Sequence, residues 1–333
     1  MPSMEIWNET EALRVCVIGA GMAGMACGQA LRDAGHAVTL IDKGRGAGGR
    51  MATRRLATPL GEVSFDHGAQ YFTARDADFR NQVEAWASAG HVSRWTAVAE
   101  DAWVGTPGMN APLNAMATDL DVMWSVPVTQ ISRTSTGWTV SADSGPVLTV
   151  DAVVVAIPAE QAADLLTPIV PEMAAMARGV SSSPCWTLMM AFGDRLPGDL
   201  DWLGGADDSA LGWAARNSAK PGRGPIEAWV VQAGGEWSAR HLDMPKDEVE
   251  AGLTDALSQR LGAALPAPIA CSSHRWLYAR SGRGGLDALW DADLKLGVCG
   301  DWLAGPRVEA AWTSGTRLAA QMTGEAEVER RRR

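Results

Sequence analysis

The chain has 333 residues, a formal net charge of -10 and a hydrophobic content of 47%. That length exceeds one ordinary core, so two domains, interleaved along the chain, are expected. The acidic balance excludes a general binder of nucleic acid or of anionic membranes.

Five cysteines, Cys16, Cys27, Cys185, Cys271 and Cys299, are scattered without CxxC or ligand-like spacing. An odd, unpatterned set reads as reduced thiols in a cytoplasmic protein. The opening MPSMEIWNETEA is acidic and lacks the basic start and apolar run of a signal peptide. No apolar run approaches the roughly 18 residues of a membrane span.

Arg14 to Lys43 reads RVCVIGAGMAGMACGQALRDAGHAVTLIDK. Val15, Val17 and Ile18 form a short apolar run, the pattern of a buried parallel strand. Gly19, Gly21 and Gly24 follow at GxGxxG spacing, then a small-residue helix over Ala23 to Leu31 that closes at Gly35. A second strand, Ala37 to Ile41, ends in Asp42. In such a unit the first glycine makes the tight turn, and the second lets a pyrophosphate meet the backbone. The third brings helix and strand together, and the helix N-terminus presents free N–H groups to the phosphates. Asp42 is placed for a ribose diol. The order of these pieces indicates an adenine dinucleotide and leaves open whether it is NAD or FAD.

The next stretch, DKGRGAGGRMATRR from Asp42 to Arg55, sets Gly46, Gly48 and Gly49 among four arginines and a lysine. It begins on the ligand edge of the expected sheet, where Arg45 or Arg50 can offset phosphate charge. A solvated loop or an RGG-like segment is the alternative, disfavoured by its framing. NAD alone does not usually need a second phosphate loop, whereas a buried FAD does.

Asp76 can cap a helix carrying Phe79, Val83 and Trp86, stopped at Gly90. Trp95, Val98, Trp103 and Val104 are expected in a substrate-domain segment, and Asn110 before Pro112 can open a short helix. From Val122 to Ile157, short β runs split by turn residues suggest one antiparallel meander. CWTLMMAF and IEAWVVQA read as strands of a second sheet. Val249, Leu253, Leu257 and Leu261 form the core stripe of a helix. Leu294 to Cys299 returns as a strand leading into GDW, and Val308 to Met322 is a helix.

With these motifs assembled, the chain resembles the flavoprotein amine-oxidase superfamily and, more narrowly, its bacterial renalase-like group. The blocks are GAGMAG, DKGRGAGGRMATRR, FDHGAQYFTARD (Phe65 to Asp76), ARNSAKP (Ala215 to Pro221), HRWLYAR (His274 to Arg280) and CGDWLAGPRVEAAWTSG (Cys299 to Gly315). They run from about Val15 to Met322. The resemblance implies an α/β fold: a Rossmann-type FAD-binding domain interleaved with an α+β substrate domain on a mixed or antiparallel sheet. The FAD domain is expected over 13–75, 120–160 and 291–325, the substrate domain over 76–119 and 161–290, with tails at 1–12 and 326–333. Non-covalent FAD is expected on Gly19, Gly21, Met22, Ala23, Gly24, Asp42, Lys43, Gly49, Arg50, Met51, Gly68, Ala69, Gln70, Val128, Asp301, Arg307, Val308 and Ala311. Backbone near Val126 and Val128 would meet adenine, and Asp301 a ribityl hydroxyl.

The implied reaction is transfer of hydride from 2- or 6-dihydro isomers of NAD(P)H to flavin N5. Oxygen then reoxidises the flavin, giving H2O2 and NAD(P)+. Gln70, Tyr71, Asn217, Trp229 and His274 are expected to shape the pocket. An amine oxidase or desaturase of the same superfamily, or a non-catalytic FAD-binding protein, are the alternatives. The five histidines are dispersed and suggest no metal site, and His67 beside Asp66 reads as a structural hydrogen-bonding residue. Arg216, Lys220, Arg223, His274, Arg275, Arg280 and Arg283 read either as a cradle for a phosphate-bearing substrate or as solvated loops. Trp213, Trp229 and Trp276 read as stacking platforms or as core. Ser281 to Gly285 departs from the family pattern and can cover the pocket. Cys299 reads as a buried apolar thiol.

Overall fold

The computed structural model of the protein describes residues 12–324. Apart from residue 12, the expected tails at 1–12 and 326–333 lie outside the described residues. Valine-rich runs flanked by helices assemble into a six-stranded sheet in the order Leu289–Asp291, Leu296–Val298, Ala152–Val155, Arg14–Ile18, Ala37–Asp42 and Asp121–Trp124. Neighbours run parallel except the first two. Every residue of Ala152–Val155 is buried, as a strand covered on both faces requires.

The first helix, Met22–Asp33, packs against the last, Val308–Met322. Their close approach needs Gly315, where a Cβ would stand 2.2 Å from the Ala23 carbonyl oxygen. The helix Ala77–Ser88 starts as read: the Asp76 carboxylate accepts from the N–H groups of Asp78 and Phe79. Its Phe79, Val83 and Trp86 join Trp95, Trp103 and Val104 in one core with Val15, Val17, Met25 and Leu40. The segment expected in the substrate domain therefore shares the parallel sheet's core. Packing draws 76–119 toward the nucleotide unit.

A single meander over Val122 to Ile157 is corrected. Only Val128–Arg133, Trp138–Ala142 and Gly145–Val150 form an antiparallel three-stranded sheet. Asp121–Trp124 and Ala152–Val155 instead enter the parallel sheet, one at its edge and one inside. Short β runs separated by turns carry no information about strand direction.

The second large sheet is antiparallel, in the order Trp202–Gly204, Trp213–Arg216, Glu227–Gln232, Ser183–Phe192 and Ala270–Arg280. One face, through Trp186, Leu188, Met190, Phe192, Trp229 and Val231, takes the Val249, Leu253 and Leu257 stripe of the helix Lys246–Leu261. The other, through Met189, Ala191, Ala228 and Val230, packs on Val63 and Phe65. These belong to the hairpin Thr53–Thr58 and Gly61–Asp66, which thus carries the second sheet on the nucleotide-binding unit.

Trp229 is fully buried on the helix-covered face, its Nε1 donating to Glu227 Oε1 at 2.9 Å. The pocket role read for it is corrected: strand parity turns it into the core. Trp229→Ala is expected to lower unfolding free energy by about 3–5 kcal/mol in a urea titration. A shift under about 1 kcal/mol would contradict the core placement.

Candidate cofactor and substrate site

The three glycines of the first motif meet three different surroundings. Gly19 has φ +105°, and a Cβ there would lie 2.4 Å from the Ala156 carbonyl oxygen. At Gly24 a Cβ would lie 1.9 Å from the Gly19 carbonyl oxygen. At Gly21 a Cβ would meet nothing within 4 Å. The first and third glycines close the turn and the helix–strand contact, while the second borders open space. Met22, Ala23 and Gly24 lie in the first turn of a helix that has no side-chain cap and no acidic residue there, so its N–H groups are left for an anion. Asp42 ends the second strand and is held in place, accepting from the N–H groups of Ala20 and Gly44 at 2.6 Å each.

The second glycine loop comes to the same place. Gly49 has φ +51°, and a Cβ on it would stand 3.4 Å from the Gly21 Cα. Lys43 beside the loop is exposed and Met51 is buried. The donor set and the side-chain-free gap fit an adenine dinucleotide with a second phosphate contact. Val126 donates its N–H to the Asp42 carbonyl and Ser125 to that of Gly44, which brings the chain entering Val128 alongside Asp42. Gly68 and Ala69 lie on the second loop: Ala69 N–H donates to the Arg50 carbonyl at 2.8 Å, and a Cβ on Gly68 would collide with that oxygen.

Arg50 and Asp301 are brought together as partners. The guanidinium makes a two-pronged pair with the carboxylate, at 2.9 and 2.5 Å, and Ser281 Oγ donates to Asp301 at 2.9 Å. Each charge expected to face the cofactor is thus matched by the other, and the pair ties the loop to the chain before the last helix. Arg307 precedes that helix, Val308 opens it, and Ala311 N–H donates to the Arg307 carbonyl. The helix has no side-chain cap. Its buried Glu309 accepts instead from the backbone of Arg75 and Asp76. The Ser281–Gly285 loop is strapped down rather than free to cover a pocket: Gly284 N–H donates to the Trp302 carbonyl and Gly282 N–H to that of Ser181.

Facing Gly68 to Tyr71 is a row set by strand register. Trp213 pairs with Gln232, Gln232 with Thr187, and Thr187 with His274, so four side chains on four strands point the same way. Gln232 Nε2 donates to the Gly68 carbonyl at 2.7 Å. Trp213 lies against Tyr71, ring centroids 5.8 Å apart, and stacks on Trp202 at 4.7 Å. His274 and Trp276 enclose His67, each with its ring centroid 5.1 Å from that imidazole. Trp276 Nε1 donates to the His67 carbonyl, while buried His67 Nδ1 has no partner.

Two pocket residues read from the sequence are tied up by hydrogen bonds within the protein. Asn217 is fully buried and clasps the hairpin, accepting from Asp66 N–H and donating to the Ser64 carbonyl. Gln70 is locked, its Nε2 donating to the carbonyls of Asp66 and Gly68 and its Oε1 accepting from Lys220. The phosphate cradle is corrected too. Arg216 is buried against Glu227, and Lys220 and Arg223 both pair with buried Asp66. Arg275, Arg280 and Arg283 are exposed. Thr187 and Gln232 had no sequence signal beyond strand alternation.

Burial alone would push the Asp66 carboxyl up, but Lys220 and Arg223 beside it hold it at about 2. Burial, then His274, then Arg54 bring His67 down to about 4, and burial and Arg54 bring His274 to the same value. Burial pushes the Cys185 thiol up to about 11, far from a nucleophile. Cys299 is buried among apolar side chains, as read. Among the described residues no group of His, Cys, Asp or Glu forms a metal cluster, and no helix is long and apolar enough to cross a membrane.

The fold and these loops define a dinucleotide-binding protein. A family model described as flavin containing amine oxidoreductase matches residues 79–323, and one for an NAD(P)-binding Rossmann-like domain matches residues 17–86. The chain belongs to the flavin-containing amine oxidoreductase family, and its cofactor is FAD. Renalase from Mus musculus is 26% identical over 299 residues, covering 80% of this chain and 85% of that protein. A double mutant of putrescine oxidase shares the fold with a TM-score of 0.72 at 15% identity, over 94% of this chain and 99% of that one. Cyclohexylamine oxidase from Brevibacterium oxydans does so at 0.66 and 14%, over 95% and 100%.

Gly21→Val is expected to abolish FAD retention while the apoprotein keeps its circular dichroism and melting temperature. Gly24→Ala should instead destabilise the fold by at least about 1–3 kcal/mol through overpacking. The same result for both would contradict the assignment. The histidines set a pH dependence as well. Folded values near 4 against an ordinary 6.5 mean that the unfolded chain binds more protons between those limits, so stability falls as pH drops from 6.5 to 4. The melting temperature of a His67→Asn, His274→Asn double variant should fall less steeply over that window than that of the native protein. Parallel curves would count against two neutral imidazoles.

Proposed function

We propose that this chain is an FAD-dependent oxidase acting on 2- and 6-dihydro isomers of NAD(P)H, with O2 as electron acceptor. The observation that carries the reading is the state of the ionisable groups beside Gly68 to Tyr71. His67 and His274 are held uncharged at neutral pH, and Asp66 is tied to two cations. Imidazoles lowered to about 4 are weak bases at neutral pH, so the site suits a donor that gives up hydride without a proton. A dihydropyridine suits it, because loss of hydride alone restores an aromatic ring, with no N–H or O–H proton to remove.

FAD, when bound, supplies the hydride-accepting N5 and passes the electron pair to O2, so that the dihydro donor, O2 and one proton yield NAD(P)+ and H2O2. Gly19, Gly21, Met22, Ala23 and Gly24 would hold its pyrophosphate, with Asp42 and Lys43 at the ribose and Val128 near adenine. Gly49, Arg50, Met51, Gly68, Ala69, Gln70, Asp301, Arg307, Val308 and Ala311 would line the remainder. Tyr71 and Trp213 would offer a planar donor their faces, and Trp276 and His274 would close the opposite end of the row. The renalase-like motif blocks and the mouse relative support this reading.

Amine oxidation, the chemistry named for the putrescine and cyclohexylamine oxidases that share the fold, is the second reading. It asks for a proton acceptor or an anionic partner for a cationic amine. Of the buried carboxylates, Asp66, Glu227 and Asp301 are ion-paired, and Glu309 is taken up by the backbone N–H groups of Arg75 and Asp76.

Anaerobic rapid mixing separates the two readings. Dihydro-NAD isomerised at the 2 or 6 position is expected to bleach the flavin absorption at least about 100-fold faster than ordinary NADH or monoamines, a difference of about 2.7 kcal/mol in barrier. Equal or slower bleaching would remove the dihydronicotinamide assignment.

A further inference from the structure

Asp66, Lys220 and Arg223 form a knot whose charges do not cancel. Their side chains are 0%, 0% and 1% exposed. The carboxylate accepts from Lys220 Nζ at 3.2 Å and from Arg223 Nη2, and also from Thr53 Oγ1 and Met109 N–H at 2.9 Å each. Among the described residues, Asp66 is the one carboxylate within 4.0 Å of either cation. Lys220 has for its other neighbours two uncharged groups, Gln70 Oε1 at 3.1 Å and the face of Trp95 at 5.2 Å. Two buried cations therefore share one anion, leaving one positive charge in excess.

An uncompensated buried cation is expensive, and an anion arriving within its reach would offset that cost. The knot's position says where. Asp66 is the last residue of the hairpin strand, and after His67 the chain reaches Gly68 and Ala69, which lie on the second glycine loop. Gln70 bridges the two, held by Lys220 at its oxygen and fastened by its nitrogen to the Asp66 and Gly68 carbonyls. Accepting a hydride adds one negative charge to the ring that receives it, whatever donor provides it.

We propose that the excess cation at Asp66, carried by Lys220, is a standing positive charge behind the Gly68 to Tyr71 segment that stabilises the negative charge gained when the site accepts hydride. The low-dielectric surroundings let this charge act across the intervening amide. Burial lowers the Lys220 ammonium to about 8, against the pull of Asp66, so it is still mostly protonated at neutral pH. The inference rests on FAD occupying the cleft and is independent of the identity of the hydride donor.

The test is the two-electron midpoint potential of the flavin in the purified holoprotein, measured against a reference dye. Lys220→Met and Lys220→Gln leave Asp66 paired with Arg223, so the knot survives as a neutral pair. Both variants are expected to shift the equilibrium at least tenfold toward oxidised flavin, about 30 mV. Lys220→Arg should restore it, and Arg280→Gln, at an exposed site, should not move it. If Lys220→Met does not retain FAD, Lys220→Gln decides. Potentials within threefold of the native equilibrium in the charge-removing variants, with or without lost thermal stability, would overturn the proposal. Failure with dihydronicotinamide donors would leave these potentials, and hence this inference, unaffected.

Discussion

Gly19, Gly21 and Gly24 differ by what a methyl group would strike: a carbonyl, nothing, and another carbonyl. The gap at Gly21 is where the architecture converges. Gly49 reaches it from the second loop, and the uncapped start of the first helix opens onto it. Helix–helix contact through Gly315 fixes the last helix against the same unit. A long, doubly charged cofactor can be held by backbone N–H groups here because no side chain intervenes, and because the backbone groups at a helix start are unsatisfied without it.

From that gap the hairpin Thr53–Asp66 transmits position to the second sheet. Val63 and Phe65 seat the sheet, Asn217 clasps the hairpin's edge, and Gln232 meets Gly68. The face turned toward Gly68 to Tyr71 is then aromatic and amide in character, with imidazoles that burial keeps neutral. Charge is present but kept behind the surface, in the Asp66 knot and the Arg50–Asp301 pair. Such a division suits a reaction in which the cofactor does the electron chemistry and the protein sets orientation and field.

The nucleotide-binding half was readable because its signals are local. Strand, glycines, helix and terminal acid sit within thirty or so consecutive residues, and each has a steric reason that holds in any such unit. The second sheet was less legible because its site is made by register. Nothing near Thr187 or Gln232 in the sequence marks them, yet cross-strand pairing sets them between Trp213 and His274. The same parity separates Trp213, on the side of Tyr71, from Trp229, in the core. Arg216, Lys220 and Arg223 read either as a cradle for a phosphate-bearing substrate or, since basic residues are mostly exposed, as solvated loops, and the structure buries all three side chains. Their partners Glu227 and Asp66 lie at positions that the sequence does not link to them.

Whether two glycine turns grip one FAD molecule is read from the absorption spectrum and flavin content of the purified protein. An oxidised-flavin spectrum with close to one FAD per chain is expected. Acid precipitation should release that flavin into a yellow supernatant. A colourless protein that takes up no FAD when the cofactor is supplied would contradict that grip.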